Sequence, residues 1–176
     1  VVMASYALEE ADTPVEVFEA CRAFCSEMCD DPDCRDTVIY GGNNWYYAYG
    51  KSSAKEILED SAYLAEMTEG IENRPFMVMD DGWQIDHSDS YNGGPWRVGN
   101  ADYGDMGELA AQMRAKNVRP GIWFRPLYDH SADIPAEWRL ERNAEVFDIS
   151  VPEVLEHIAQ DISCLLYTSD AADDLT

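Results

Sequence analysis

Short apolar strands and amphipathic helices alternate along this sequence, and the alternation constrains its fold more than any other feature. Residues 76–79 read FMVM and are apolar throughout, which is typical of a strand covered on both faces of a parallel sheet. Apolar runs at 37–40 and 121–124 predict one strand before it and one after it. With the intervening helices the order is β-α-β-α-β-α. This order predicts an α/β protein with a parallel sheet, either open and doubly wound or closed into a barrel.

Capping patterns mark where several of the helices begin. Ser53 and Asp105 each precede a glutamate by three residues, as in a capping box, and each opens a predicted helix. Apolar residues at three- and four-residue steps predict a helix over 13–28, before the first strand, and another that starts near Pro152.

One connection is unusually long for a compact domain. Residues 84–103 show no clear helix or strand and include the turn-forming sequence NGGP at 92–95. The segment follows the carboxyl end of a predicted strand, where long loops usually form binding sites. We therefore expect it to border the functional site.

The charge of the chain excludes several classes of partner. It carries 12 Lys and Arg against 35 Asp and Glu, a formal net charge of −23, which disfavours nucleic acid and anionic membranes. A hydrophobic content of 46% is enough for a folded core. No run approaches the roughly 20 apolar residues that span a bilayer, and the first ten residues do not resemble an export signal. We expect a cytoplasmic location. Whether the full-length protein forms a homo-oligomer stays open.

The cysteines cluster near the start of the chain. Cys21, Cys25 and Cys29 repeat every four residues, which would align them along one helix face, and Cys34 and Cys164 follow. Their spacing matches no zinc or iron–sulfur pattern. We interpret them as reduced thiols that pack as small apolar residues on a buried helix face.

The end of the chain has an unusual sequence. Residues 164–174 read CLLYTSDAADD, which looks like the translation of a sequencing-library adapter, so we interpret 164–176 as a non-native tail that packs poorly. The alternative is a fourth strand at 164–169 followed by an acidic loop.

The strongest chemical motif is the sequence Asp80-Asp81-Gly82-Trp83 at the end of the predicted buried strand. Two adjacent carboxylates near apolar surface repel each other and are costly to desolvate, so a ligand is the simpler explanation. Neighbouring residues of a strand point to opposite sides, which does not suit an acid and a nucleophile that flank one bond. Carboxylates instead suit the hydroxyl donors of a sugar. The alternative is a capping Asp beside a solvent-facing Asp in a turn.

Aromatic residues lie near this motif in the predicted fold. They follow the first strand, follow the second or lie in the third, as Trp45, Tyr46, Tyr47, Trp83 and Trp123. Flat rings suit the apolar face of a pyranose, and a Trp N–H is free to donate to it. Arg125 lies two residues after Trp123 and should point to the same side, where it could pair with Asp80 or Asp81 or bind a ligand oxygen.

Three motifs in this order resemble those of clan D glycoside hydrolases, above all the family 36 α-galactosidases. They are GNNW at 42–45, MDDGW at 79–83 and PGIW at 120–123, and the resemblance covers roughly residues 40 to 162. It implies that residues 37–163 are the first part of a (β/α)8 barrel, about the first three βα units, with a helical segment at 1–36 leading into it. A complete barrel of this kind uses roughly 250 residues.

The resemblance also implies a set of residues that bind the substrate. Asp80 and Asp81 would hold the O4 and O6 hydroxyls of a terminal galactose, and Trp123 would line the same pocket. The full predicted set is Asn44, Trp45, Asp80, Asp81, Trp83, Trp123 and Arg125. Arg125 and Leu127 stand where many relatives have Glu, so the resemblance fixes neither the linkage nor the aglycone.

The implied reaction is retaining hydrolysis of terminal α-galactosyl residues from galactose-containing oligosaccharides. In that family the nucleophile is an Asp at the end of the fourth strand, and the acid/base is an Asp at the sixth. Neither strand is present here, so we expect no hydrolase activity from this chain alone.

Three other functions stay open. The first is galactosyl transfer, as in raffinose-synthase-like relatives, and the second is a non-catalytic sugar-binding protein. The third is a metal-assisted phosphohydrolase with Asp80 and Asp81 as ligands. However, His87, His130 and His157 are isolated in the sequence, and neither a GxGxxG motif nor a P-loop is present. We therefore expect no metal or other cofactor.

Overall fold

The structure is a computed structural model that describes residues 14–27 and 37–169. The chain divides into two compact units, residues 1–38 and 39–176.

The first unit contains helix α1, Pro14–Glu27, which confirms the helix predicted before the first strand. Its cysteines do not lie on a buried face, because Cys21 and Cys25 are both exposed. Apolar neighbours on the same helix, such as Phe18, are exposed as well. The predicted packing of the cysteines on a buried face is therefore wrong for these two. Cys29 and Cys34 lie outside the described residues.

The second unit is built on a parallel sheet. Strands β1 (Gly41–Asn43), β2 (Phe76–Met79) and β3 (Arg119–Ile122) lie side by side in the order β1-β2-β3. Both neighbouring pairs are parallel. The α/β fold with a parallel sheet is therefore confirmed, and β2 has the bounds that its apolar run predicts.

The first strand begins later than its apolar run predicts. Val38 and Ile39, in the predicted strand 37–40, are 69% and 71% exposed, and β1 starts at Gly41. At Gly41 the backbone of β2 comes so close that a Cβ atom would lie 1.8 Å from the carbonyl oxygen of Phe76. Glycine is needed for that approach, and the sequence pattern of β-branched residues does not reveal it.

Four helices connect or follow these strands: α2 (Trp45–Ala48), α3 (Ala54–Met67), α4 (Met106–Ala115) and α5 (Pro152–Ser169). The predicted caps are confirmed. The Ser53 side chain accepts from the backbone N–H of Glu56, and the Asp105 side chain accepts from that of Glu108. Each cap satisfies a backbone donor that has no partner inside its helix.

The sequence does not predict a hairpin that follows the third strand. After a single turn of 3-10 helix, Ala136–Trp138, strand β4 (Arg139–Leu140) pairs antiparallel with strand β5 (Asn143–Phe147). The hairpin is separate from the parallel sheet. It reaches the segment after β3 through a bridge between Tyr128 and Val146.

The core lies between the sheet and the helices on it. Helices α3 and α4 pack against strands and against each other, while α5 packs against α4 and β3. The buried residues include Ile57 of α3, Met77 and Met79 of β2, and Leu109 and Met113 of α4. Hydrophobic burial of these side chains holds the carboxyl ends of the strands in place.

Helix α5 differs from its predicted pattern. Leu155 and Ile162, two of the residues that signal this helix, are exposed, whereas Val154, Asp161 and Leu165 are buried. The helix continues through 164–169, so the alternative of a fourth strand there is wrong. Leu165 belongs to the hydrophobic core, so the expectation that the tail packs poorly is wrong at this residue. Residues 170–176 lie outside the described part of the chain, and the adapter interpretation stays a prediction. In the described ranges no helix combines the length and the apolar character needed to cross a membrane.

Candidate carbohydrate-binding site

The candidate site lies at the edge of the sheet where all three parallel strands end. Because parallel strands share one direction, the residues after β1, β2 and β3 meet at the same edge. The motifs at 42–45, 79–83 and 120–123 each cross or follow one of these ends. The parallel topology therefore brings these three motifs, which are distant in the sequence, to one edge of the sheet.

Asp80 is held by two side-chain amides at the carboxyl end of β1. The Asn43 side chain donates to Asp80 Oδ2 over 2.6 Å, and the Asp80 backbone N–H donates to Asn44 Oδ1 over 2.8 Å. Asn44 is only 1% exposed. The second oxygen, Asp80 Oδ1, accepts from the backbone N–H of Asp81. Asp80 is half-buried, so its carboxylate is fixed in orientation yet still reaches solvent.

Asp81 is held by a different set of partners. It is 5% exposed, and its Oδ1 accepts from the Gln84 side chain over 2.7 Å. Its Oδ2 lies 3.7 Å from Nε2 of His87. Gln84 in turn accepts from the backbone N–H of Gly82. Because Asp81 is buried, the alternative of a solvent-facing Asp in a turn does not describe this pair.

The long connection at 84–103 folds back over the carboxyl end of β2. The backbone N–H of Ile85 donates to the carbonyl of Val98, and Gln84 forms a bridge with Gly99. The Asn100 side chain donates to the carbonyl of Gly82 over 2.7 Å. These contacts hold the loop, which supplies both side chains that hold Asp81.

Trp83 is a core residue and does not line the site. It is 0% exposed, and its indole N–H donates to the carbonyl of Trp123 over 2.9 Å. The prediction that Trp83 offers a free N–H to a sugar is therefore wrong. Trp96, which the sequence reasoning missed, packs between Trp83 and Trp123 with ring centroids 5.9 and 5.8 Å away. Only its place within the long loop could have suggested this role.

Trp123 lies one residue beyond the end of β3. Its backbone N–H still donates to the carbonyl of Met79, which extends the ladder past the strand. Its side chain is half-buried against Trp96. It is thus placed at the same edge as Asp80, with part of its ring exposed.

The aromatic residues after β1 form a more exposed group. Trp45 is half-buried and meets Tyr49 edge to face at 5.6 Å. Tyr46 is 84% exposed. Tyr47 donates its hydroxyl to Asp60, and burial together with that carboxylate raises the pKa of Tyr47. Trp45 and Tyr46 are therefore available to a ligand, whereas the hydroxyl of Tyr47 is already paired.

Arg125 does not pair with either aspartate of the motif. Its Nη1 donates to Asn92 Oδ1 over 2.5 Å, and its guanidinium lies 4.1 Å from the ring centre of Tyr128. The predicted ion pair is wrong because β3 ends at Ile122. Strand alternation therefore no longer sets the direction of residue 125. Arg125 is exposed and borders the long loop.

The three histidines are not isolated in space. Their Nε2 atoms lie 3.7, 3.7 and 3.5 Å from a carboxylate oxygen, in the pairs His87–Asp81, His130–Asp86 and His157–Asp161. Two of these pairs join residues five or more positions apart, a spacing that carries no sequence signal. Across residues 14–27 and 37–169, no group of three or more His, Cys, Asp or Glu side chains could hold a metal ion.

A cavity of about 150 Å³ is lined by another set of residues, from the long loop, the segment after β3 and helix α5. Asp161 of α5, which is 3% exposed, accepts from Arg97 of the loop over 2.6 Å. This ion pair, in which Asp161 is buried and Arg97 is exposed, ties the loop to α5.

A parallel α/β sheet whose carboxyl edge carries a held carboxylate pair and partly exposed aromatic rings is the kind of site that binds carbohydrates. The carboxylates accept from hydroxyl groups and the rings cover the apolar sugar face.

Comparisons with known proteins find similarity to α-galactosidases. No family model matches the chain. Two curated proteins, both described as "Probable alpha-galactosidase C" and from Aspergillus flavus and Aspergillus oryzae, are each 29% identical over 158 residues. The matches cover 72% of this chain and 20% of each relative. The chain thus spans about a fifth of the length of the curated relatives it matches.

Solved structures agree with these matches. The galactosidase domain of the alpha-galactosidase-sucrose kinase AgaSK is 22% identical with a TM-score of 0.65, covering 80% of this chain and 21% of that one. The family 36 α-galactosidase AgaA from Geobacillus stearothermophilus is 25% identical with a TM-score of 0.58, covering 76% of this chain and 20% of that one. A variant of AgaA solved with raffinose is 25% identical with a TM-score of 0.56, covering 74% of this chain and 20% of that one. The resemblance to family 36 α-galactosidases that the three motifs predict is therefore confirmed.

Proposed function

We propose that this chain is the first part of the (β/α)8 barrel of a retaining α-galactosidase. The parallel order β1-β2-β3 and the helices between the strands support this placement, because successive βα units of such a barrel pair in chain order. The share of the relatives that the chain spans supports it as well. On this proposal the substrates of the whole protein are oligosaccharides with a terminal α-galactosyl residue, such as raffinose.

The observation that carries the proposal is the fixed carboxylate of Asp80 at the carboxyl edge of the sheet. Asn43 and Asn44 hold this residue through its carboxylate and its backbone N–H. A carboxylate that is already oriented loses little entropy on accepting a sugar hydroxyl, and each charge-assisted hydrogen bond contributes about 1.5–3 kcal/mol. Asp80 therefore acts as the main acceptor for the galactose hydroxyls, with Asp81 beside it.

The catalytic pair belongs elsewhere on this proposal. Asp80 is held from the end of β1, while Asp81 is held by the long loop. An acid and a nucleophile of a retaining enzyme must flank one bond at about 5–5.5 Å. We assign binding rather than catalysis to both residues, and place the nucleophile and the acid/base on later strands of the barrel.

A binding experiment tests the proposal directly. Methyl α-D-galactoside and methyl α-D-glucoside would be titrated into the 176-residue chain by calorimetry or by two-dimensional NMR. We expect the galactoside to bind and the glucoside to bind more weakly. Asp80→Asn should weaken galactoside binding about tenfold or more, because an amide is a poorer acceptor than a carboxylate.

Glu66→Gln is the matched control, since it removes the same charge from an exposed residue of α3, outside the proposed site. It should leave the affinity unchanged. Equal loss in both variants, or equal binding of the two glycosides by the parent chain, would refute the assignment. Turnover of an aryl α-galactoside by the purified chain would refute the placement of the catalytic pair elsewhere.

A further inference from the structure

The second carboxylate of the motif is almost enclosed, and its partners are incomplete without a histidine. Asp81 is 5% exposed, and Gln84 donates to only one of its two oxygens. The other, Oδ2, faces Nε2 of His87 at 3.7 Å. A carboxylate this buried is costly unless both oxygens have partners. Nε2 of His87 lies within ion-pair distance of Oδ2, and a shift of a few tenths of an ångström would bring it to hydrogen-bond distance.

The imidazole of His87 is itself held between two parts of the chain. Its side chain is 16% exposed, and it lies against Gly50, in the turn after α2. A Cβ atom at Gly50 would come within 2.9 Å of both Cε1 and Nε2 of the ring. Any side chain at residue 50 would therefore push the imidazole aside. The contact joins the segment after β1 to the loop after β2.

Two charged residues that are close to Gly50 and His87 in the sequence pair with each other. Lys51, next to Gly50, pairs with Asp89 at 3.8 Å, and the two side chains are 74% and 90% exposed. Water screens such a pair strongly. The contact between His87 and Asp81 is buried instead. The loss of a donor there therefore affects a carboxylate that water does not screen.

We propose that His87 is a positioning residue for sugar binding, and that Gly50 is required because it leaves room for the imidazole. His87 engages Oδ2 of Asp81, which directs the remaining acceptor positions of the carboxylate toward a sugar hydroxyl. The inference rests on the proposed function, and it adds a residue outside the three motifs. It acts through Asp81 and touches no reacting atom.

The test uses substitutions that separate the donor from the bulk of the side chain. His87→Leu keeps a similar volume without a donor, whereas His87→Gln keeps a donor. In calorimetric titrations with methyl α-D-galactoside, His87→Leu should weaken binding about tenfold. His87→Gln should stay within about threefold of the parent chain. The preference for galactoside over glucoside should also fall in His87→Leu, which general destabilisation would not cause.

Glycine substitutions provide an independent arm. Gly50→Ala should weaken galactoside binding as His87→Leu does, because the new methyl group displaces the imidazole. Gly70→Ala is the matched control: Gly50 and Gly70 have φ angles of +80° and +78°, but a Cβ at Gly70 meets nothing within 4 Å. Both carry the same backbone strain, so any excess loss of affinity in Gly50→Ala reports the contact with His87.

The outcomes separate this inference from the function on which it rests. A parent chain that does not bind the galactoside overturns the proposed function. A parent chain that binds, with unchanged affinity in both His87→Leu and Gly50→Ala, overturns the role of His87 alone. Equal losses in His87→Leu and His87→Gln, or in Gly50→Ala and Gly70→Ala, also overturn it, because neither pair would then report the donor or the contact. If His87→Leu does not fold, the glycine pair and His87→Gln decide.

Discussion

Asn44 links the ends of β1 and β2, and replacing it with alanine should be the most informative single change near the site. The side chain is 1% exposed, and its Oδ1 accepts from the backbone N–H of Asp80 over 2.8 Å. Asn44→Ala leaves that N–H without this partner in a part-buried position, which costs about 1–3 kcal/mol. Loss of the packed amide group adds to this cost. We therefore expect the free energy of unfolding to fall by about 2–3 kcal/mol, and the midpoint of thermal unfolding by roughly 4–12 °C.

Urea unfolding followed by far-ultraviolet circular dichroism measures this loss. Asn43→Ala is the matched control, because Asn43 is an exposed asparagine one residue earlier that bonds the carboxylate of the same Asp80. It should cost less than about 1 kcal/mol, as exposed hydrogen bonds exchange with water. If Asn44→Ala lies within about 0.5 kcal/mol of the parent chain, or costs no more than Asn43→Ala, the buried amide does not support this edge of the sheet.

Two further substitutions test how the long loop is held. Tyr91 is 7% exposed, donates its hydroxyl to the carbonyl of Gly94 over 3.0 Å and accepts from the backbone N–H of His130 over 2.8 Å. Tyr91→Phe should therefore cost about 1–2 kcal/mol in urea unfolding. Burial raises the pKa of Tyr91, so its neutral hydroxyl contributes in full below about pH 10 and is lost as the pH rises through the raised pKa. A cost that already varies between pH 7 and pH 9 would contradict this. Asp161→Asn removes the charged partner of Arg97 and should lower the free energy of unfolding by about 1–2 kcal/mol. The cost is this small because one side of the guanidinium is exposed. If 1 M NaCl abolishes the loss of stability, the pair is not effectively buried.

The sequence predicts the central elements because local signals and tertiary contacts agree there. At 76–79 an unbroken apolar run meets a strand with neighbours on both sides, so the predicted and observed bounds coincide. At the outer strands the signals disagree. The β-branched run at 37–40 precedes a strand that starts at Gly41, where the close approach of two backbones decides the boundary. The hairpin at 139–147 is missed because its first strand is only two residues long, and the alternation in 143–146 is too short to stand out from the surrounding loop.

The site is predictable only where one short motif carries the chemistry. The pair Asp80-Asp81 can be found from its adjacency at a strand end, since that placement is costly without a purpose. Trp83 lies in the same motif but faces the core, which the motif alone cannot reveal. His87 gives no signal either, because its contact with Asp81 depends on how the loop folds back and on the space at Gly50. Burial and loop path are tertiary properties, so these residues emerge only from the structure.

On the proposed function, we expect the two aspartates to contribute differently to recognition, because they are held differently. Asp80 is half-buried and fixed from β1, so it can accept from a hydroxyl group without rearrangement of the protein. Asp81 is 5% exposed and fixed by Gln84, with His87 nearby. A ligand that reaches Asp81 must share acceptor positions with the loop, so its affinity depends on the loop being folded. We infer that Asp80 supplies most of the binding energy, whereas Asp81 makes recognition sensitive to the conformation of residues 84–103. Substitutions at Gln84 should therefore change selectivity between sugars more than substitutions at Asn43 do.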